Sequence, residues 1–183
     1  MSIFSIKILN QNWLDSDLSH TDLCSHGELE IIIDNQIIVD EKDKLDWTIS
    51  TSALSLLRSI EPYKHEEGRY CEKILHCGQL LMLNCPICID WEMIYEYDTI
   101  TLKNVFKQFS VKPEDVINFK DINIKVDREK YTKEILSIAQ EVKQFFETQP
   151  QRIFYDKWEL LSYDSFWLEF NELFTKAKQK YLP

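Results

Sequence analysis

The sequence predicts one α+β domain over residues 1–183, with a mostly antiparallel sheet of about six strands, one inserted helix and two C-terminal helices packed on it. Apolar residues alternate at every second position in several segments before residue 127, and after it they recur every three or four positions. Strands that precede helices without βαβ alternation are typical of an α+β fold. The chain has only three glycines and no repeat or low-complexity linker, which favours a single domain.

The N-terminal third contains a predicted strand, a hairpin and a helix. Ser2–Leu9 shows the apolar alternation of a strand. Two β-branched runs, Glu28–Ile33 and Gln36–Asp40, flank Asp34-Asn35, whose side chains tolerate the positive φ of a two-residue hairpin turn. The segment Ser50–Ile60 predicts a helix that begins at serine or threonine caps and ends before a proline.

Further strands are predicted after a polar loop at residues 63–70. Trp91 and Met93 alternate with Glu92 and Ile94, as in a half-buried antiparallel strand. The predicted strands are Lys73–Leu75, Leu80–Leu83, Ile89–Tyr97, Thr99–Val105 and Asp121–Val126.

Two amphipathic helices are predicted after Asp127. The first has its apolar residues at helical spacing and ends at Pro150. The second spans about Ser162 to Lys178 and is rich in aromatic residues. Trp167 falls outside the apolar stripe of this helix, so it is either a partly exposed interface anchor or part of a wide hydrophobic face.

Negative charge is concentrated at the N-terminal end of the chain. The formal net charge is −10, and residues 1–50 contribute −7 of it through ten acidic residues and three lysines. An acidic segment argues against nucleic-acid binding, which needs a basic surface to neutralise phosphates. It favours a basic protein partner, because electrostatic steering would accelerate association. The alternative is a solvated acidic face that serves solubility.

The segment MSIFSIKILNQNW lacks a basic region followed by an apolar stretch, so no signal peptide is predicted. No segment approaches the roughly 18 apolar residues of a membrane span. We therefore expect a cytoplasmic protein without membrane association and with reduced cysteines. The odd number of cysteines, five, also fits poorly with a disulfide framework.

Cysteine and histidine residues cluster at predicted turns and strand ends. The motif CPIC has the spacing at which two thiolates reach one zinc ion, but a closed site needs two more ligands and there is no second Cys-x-x-Cys. Free cysteines are commonly small buried apolar residues, so the favoured prediction is no cofactor, with zinc as the alternative. The candidate zinc ligands are Cys24, His26, His76, Cys77, Cys85 and Cys88.

No sequence motif indicates a catalytic site. Gly-x-Ser-x-Gly, a Gly-rich phosphate loop, His-Glu-x-x-His and an EF-hand loop are all absent. An enzyme would have to assemble its site from the cysteines and histidines together with Asp90, which requires their segments to converge in one pocket. Asp90, Glu92 and Glu96 share one face of an alternating strand, most simply the solvent face. A binding protein is therefore favoured over an enzyme.

Five short segments within about residues 22–174 are DLCSHG, TISTSALSLLRS, HCG, CPICIDW and FWLEF. In this order they resemble segments of a group of small, acidic, largely uncharacterised bacterial proteins. That group has Cys-x-His-Gly, Ala-Leu-x-Leu-Leu-Arg, Cys-Gly and Ile-Asp-Trp stretches, and Cys88 departs from its pattern. In general character the group is similar to the immunity proteins encoded beside bacterial polymorphic toxins. The resemblance implies a cytoplasmic protein of immunity-like character, and it supplies no established activity and no catalytic residues.

These observations favour a protein-binding module, most concretely an immunity-like inhibitor that places an acidic surface on a basic toxin. One alternative is a zinc- or thiol-dependent enzyme built around the Cys24–His26 and His76–Cys88 clusters. A second is a structural domain that forms a homodimer through the aromatic C-terminal helix. The predicted partner-binding residues, with the tryptophan as an anchor, are Asp15, Asp17, Asp22, Asp40, Glu41, Asp43, Asp46 and Trp47.

Overall fold

Antiparallel strands occupy the first part of the chain and two long helices the last part in the computed structural model, which describes residues 3–14, 20–62, 72–76 and 85–182. The predicted α+β class is confirmed. In chain order the elements are β1 (Phe4–Ile8), β2 (His26–Gly27), β3 (Leu29–Ile33), β4 (Gln36–Val39), β5 (Trp47–Thr48), α1 (Ile49–Arg58), β6 (Ile74–Leu75), β7 (Cys88–Tyr95), β8 (Thr99–Gln108), β9 (Val116–Asp127), α2 (Arg128–Glu147) and α3 (Lys157–Tyr181).

The described strands lie in three antiparallel sheets, whereas the sequence predicts one. Their orders are β1-β3-β4, β2-β5 and β6-β7-β8-β9. Helix α2 contacts both β1 and β9, so the first and last sheets pack around a shared helix without joining at their edges. None of the helices in the described ranges is long and apolar enough to cross a membrane.

The predicted hairpin is confirmed as β3 and β4. Asp34 and Asn35 link the two strands with φ values of 53° and 61°. Both values lie in the left-handed region that a two-residue hairpin turn requires. Strand β4 is at one edge of its sheet, and its Ile37 is 55% exposed.

The two-stranded sheet needs a glycine at position 27. Gly27 pairs with Trp47 and has a φ of 155°. A Cβ atom there would lie 2.1 Å from the carbonyl oxygen of Asn10, far inside van der Waals contact. Only glycine, which has no side chain, allows the backbone at position 27 to lie this close to the backbone of Asn10.

Helix α1 confirms the predicted helix to within two residues at each end, and it is buried on nearly all sides. Its serines bond to neighbouring segments instead of capping the helix. Ser50 Oγ accepts the N–H of Ser25, while Ser52 Oγ accepts the N–H of Leu75. These bonds attach the β2 and β6 segments to the centre of the molecule.

The four-stranded sheet confirms the predicted strands at Ile89–Tyr97, Thr99–Val105 and Asp121–Val126, although β8 and β9 are longer than predicted. Asn104 has a φ of 52° at a bulge where the pairing of β8 with β9 shifts register. The predicted loop at residues 63–70 and the predicted strand Leu80–Leu83 lie outside the described residues.

The two C-terminal helices are both present, and α3 begins five residues earlier than predicted. The Asp156 carboxylate accepts the N–H of Glu159, and the Glu159 carboxylate accepts the N–H of Tyr155. The Asp156 cap and the Glu159 bond to the preceding residue start the helix before its apolar stripe begins. Trp167 is half-buried against Phe146, with ring centroids 4.8 Å apart, so it belongs to a wide hydrophobic face.

Candidate functional site

Residues 40–46 form one ordered segment, which we call the acidic turn. Its centre is a 3₁₀ helix, Glu41–Asp43. The Asp40 carboxylate accepts the N–H of Lys42 at 2.9 Å, and the N–H of Asp40 donates to the Asp43 carboxylate at 3.0 Å. These reciprocal bonds form a capping box that orients both carboxylates.

The acidic turn is attached to the rest of the fold at both ends. Lys107 Nζ, on β8, lies 2.6 Å from Asp43 Oδ1, and Lys107 is only 5% exposed. Leu45 packs against the core, and the adjoining Trp47 is fully buried. The exposed side chains of the turn therefore project from a constrained backbone.

Glu41 and Asp46 are the exposed members of the predicted acidic surface. Within the described ranges neither forms an ion pair, whereas Asp40 and Asp43 pair with lysines. The structure thus separates two acidic residues that build the turn from two that face solvent. Asp15 and Asp17 lie outside the described residues.

Trp47 is not a surface residue, and the prediction that it anchors a partner is wrong. Its exposed fraction is 0%, and its ring meets the ring of His76 edge to face with centroids 6.1 Å apart. Pairing in β5 directs this side chain into the core. The exposed apolar residue next to the acidic turn in the sequence is Ile37, which sequence reasoning missed because hairpin alternation does not reveal which strand forms the edge of the sheet.

Asp22 is engaged inside the fold. Its Oδ2 lies 3.4 Å from His26 Nε2, and its carboxylate accepts the N–H groups of Leu14 and Cys24, each at 3.1 Å. Burial by itself raises the pKa of Asp22, but the bonds from His26 and the two backbone amides outweigh it and hold that pKa below its ordinary value. Little of this carboxylate is left for a partner.

The two cysteine–histidine segments are neighbours through the short strands. His26 pairs with Thr48, and Thr48 Oγ1 donates to the carbonyl oxygen of His76 at 3.0 Å. Leu75, the residue before His76, pairs with Cys88. The juxtaposition that an enzyme or zinc site requires is therefore present at the level of the backbone.

The buried thiols, however, favour their protonated form. Burial raises the pKa of Cys24 far above its ordinary value, and burial raises the pKa of Cys88 to about 12. A nucleophile or a zinc ligand needs the thiolate. Among residues 3–14, 20–62, 72–76 and 85–182, no three His, Cys, Asp or Glu side chains are grouped to hold a metal ion, and Cys77 lies outside these ranges.

A cavity of about 970 Å³ lies between the end of α1 and the face of β7, β8 and β9. Lys73 Nζ is 2.7 Å from Asp90 Oδ1, so Asp90 is a half-buried, paired residue of the cavity wall. Burial raises the pKa of the neighbouring Glu72, and the Asp90 charge adds to this shift. Sequence reasoning missed Lys73 and Glu72, since nothing local indicates that these charged residues face a cavity.

The chain matches no protein-family model, and neither the curated proteins nor the solved structures contain a significant match to it. The resemblance to immunity-like bacterial proteins therefore stays a prediction.

Proposed function

We propose that the protein is a protein-binding module that docks on a cationic protein through the acidic turn. The observation that carries the proposal is that two carboxylates of the acidic turn hold its backbone in place while two others face solvent. Asp40 and Asp43 constrain the backbone, while Glu41 and Asp46 are exposed and form no ion pair within the described ranges, although the charge of Asp46 also acts on His76. A partner's lysines and arginines would supply the missing counter-charges.

The constrained backbone supports binding over a purely solubilising role. Ordering a flexible loop on association costs free energy, and a turn already held in place avoids most of that cost. The capping box and the Lys107 ion pair provide this constraint in the free protein. Charges that serve solubility alone do not need such a support.

Ile37 extends the proposed surface with an apolar contact. It lies on the edge strand β4, three residues before Asp40, and is largely exposed. An edge strand also offers backbone groups to an extended segment of a partner. An apolar contact beside exposed carboxylates matches an interface that combines burial with charge complementarity.

The most specific form of the proposal is an immunity-like inhibitor of a bacterial toxin in the cytoplasm. Nucleases and related toxins that act on polyanions carry cationic active-site surfaces, and an acidic turn can cover such a surface. The net charge of −10 would accelerate the encounter at low ionic strength.

The test begins with a photo-crosslinking residue at position 41, compared with the same residue at position 141. Glu41 and Glu141 are both exposed acids, but Glu141 lies on α2, outside the acidic turn. A cationic protein captured only from position 41 would be purified and used for kinetics. Capture of the same proteins from both positions contradicts the proposed surface.

The kinetic step compares two variants with the same change in net charge. The double variant Glu41→Lys and Asp46→Lys should slow association with that purified protein by about tenfold or more at low salt and flatten its salt dependence. The matched variant Glu114→Lys and Glu141→Lys, at exposed sites outside the turn, should retain most of the rate. Equal rates for the two variants would contradict the proposal.

A zinc site is the second candidate, favoured by one observation: among the described residues, His26, His76 and Cys88 lie on neighbouring backbone segments. The measurement is metal content per chain on natively purified protein. About one zinc per chain, lost together with thiol protection on chelation, would support it.

A further inference from the structure

An apolar stripe runs along the solvent side of α3. Trp158, Leu161 and Leu168 are 63%, 55% and 63% exposed. At about 100° per residue these three side chains fall within roughly 80° of the helix circumference. Large exposed apolar residues that share one helix face are typical of an interaction surface.

We propose that this stripe is covered by the same stripe of a second copy of the chain. The two α3 helices would run antiparallel, related by a two-fold axis that passes between Asp164 and Ser165. The proposal uses residues other than those of the acidic turn, so it stands or falls independently of the proposed function.

The spacing of the stripe is what selects a second copy as the occupant. Leu161 lies three residues before Asp164, and Leu168 lies three residues after Ser165. A two-fold axis at this midpoint therefore places Leu161 of each copy opposite Leu168 of the other. The apolar contact forms twice, once on each side of the axis.

The charges along the same face obey the same symmetry. Lys157 lies seven residues before Asp164, and Glu172 lies seven residues after Ser165. Both are exposed, and neither has an ion-pair partner in the part of the chain that the structure describes. The axis places Lys157 of each copy opposite Glu172 of the other, which gives two ion pairs at the ends of the contact.

The centre of the contact is complementary as well. Asp164 of one copy meets Ser165 of the other, so that an exposed carboxylate faces an exposed hydroxyl able to donate to it. A parallel pair of the same helices would instead align Lys157 with Lys157 and Glu172 with Glu172. The observed sequence of charges therefore favours the antiparallel arrangement.

A contact made mainly by one helix face is small, so we expect a dimer that dissociates on dilution. Sedimentation over roughly 1 µM to 1 mM protein, the range of weak complexes, should show the average mass rising from monomer towards dimer. A mass that stays monomeric across this range overturns the proposal. The same result is expected if another protein, and not a second copy of the chain, covers the stripe.

Leu161→Asp tests the apolar contact. Because Leu161 is more than half exposed in the single chain, the variant should fold, which circular dichroism would verify. It should weaken dimerisation by about a hundredfold or more. The matched variant Tyr97→Asp, at a 91% exposed residue between β7 and β8, should dimerise as the natural chain does. Dimerisation that survives Leu161→Asp overturns the proposal.

Charge reversal tests the antiparallel register. Lys157→Glu and Glu172→Lys should each weaken the dimer by about tenfold, since each turns two ion pairs into like-charge pairs. The two substitutions together recreate both pairs with reversed sign, and the affinity should return to within about threefold of the natural chain. A double variant no tighter than the single variants overturns the register.

Discussion

Asp43 and Lys107, 64 positions apart in the sequence, form an ion pair of 2.6 Å in which the lysine is almost completely buried. The pair joins the acidic turn to β8 in the interior of the four-stranded sheet. A buried ammonium needs a counter-charge, because leaving it unpaired in the interior costs several kcal/mol. The acidic turn is therefore part of the folded core's charge balance as well as a candidate surface.

The first prediction concerns this pair. Asp43→Asn keeps an oxygen that can accept the N–H of Asp40 but removes the charge that faces Lys107. We expect the free energy of unfolding in urea to fall by about 2–3 kcal/mol, at the low end for a buried pair because Asp43 is partly exposed.

The companion variant separates charge from packing. Adding Lys107→Met to Asp43→Asn removes the orphaned ammonium while keeping a long apolar side chain, so most of the lost stability should return. If the double variant is as unstable as Asp43→Asn, burial of the ammonium is not the cause of the loss.

A second prediction concerns backbone geometry at Gly27. In Gly27→Ala the new methyl group would overlap the carbonyl oxygen of Asn10, so β2 must shift away from the N-terminal segment. We expect a loss of at least about 2–3 kcal/mol in the free energy of unfolding. Asn35→Gly, at a position with φ of 61°, provides a contrast and should change stability by less than about 0.5 kcal/mol. A neutral Gly27→Ala variant would mean that the Asn10 backbone moves freely.

Local patterns explain which parts of the fold could be predicted from the sequence. The hairpin at Asp34-Asn35 depends on two adjacent residues that tolerate positive φ, and α2 depends on a period that repeats within one segment. The division into three sheets could not be predicted, because β1 pairs with β3 across twenty intervening residues. The start of α3 was predicted five residues too late. The first turn after Asp156 has apolar residues on its exposed side, so it does not show the amphipathic pattern of the rest of the helix.

The candidate site shows the same limit. Charge density predicts an acidic surface spread over residues 15–46, but it does not distinguish Glu41, which faces solvent, from Asp43, whose partner lies on a distant strand. The burial of Trp47 likewise follows from its pairing in β5 with Gly27, twenty positions away. Sequence reasoning finds the acidic residues, and only tertiary contacts assign them to folding or to the surface.

A third prediction concerns acid stability. The folded-state pKa of Asp22 lies below its ordinary value of 3.8, so its ionised form stabilises the fold above that value, and the contribution is lost as the pH falls through the folded-state pKa. Asp22→Asn should therefore be less stable than the natural chain at pH 7 and converge with it as the pH falls below 3.8. Urea unfolding at several pH values measures this, with the exposed Asp121→Asn as the control. A stability difference that does not change with pH would contradict the electrostatic account.

A fourth prediction has the opposite sign. The folded-state pKa of Glu72 is raised by burial and by Asp90, so its ionisation destabilises the fold above the ordinary value of 4.5. The protonated carboxyl therefore contributes to the stability of the fold below pH 4.5, and this contribution is lost as the pH rises through the folded-state pKa. Glu72→Gln should consequently be more stable than the natural chain at pH 7, with the gain disappearing below about pH 4. A Glu72→Gln variant less stable at pH 7 would show that the carboxylate makes a favourable contact that outweighs its burial.

A final prediction concerns the thiols, and it also separates the two candidate functions. With the pKa of Cys88 raised to about 12, only about one molecule in ten thousand carries its thiolate at pH 8, and burial shields Cys24 further. Iodoacetamide followed by peptide mapping should leave both residues unmodified in the folded protein and modify both in urea. Pretreatment with a chelator should make no difference, because packing and not a metal protects them. Rapid alkylation of Cys88 after chelation alone would favour a zinc site on the strands that join His26, His76 and Cys88 over a binding site at the acidic turn.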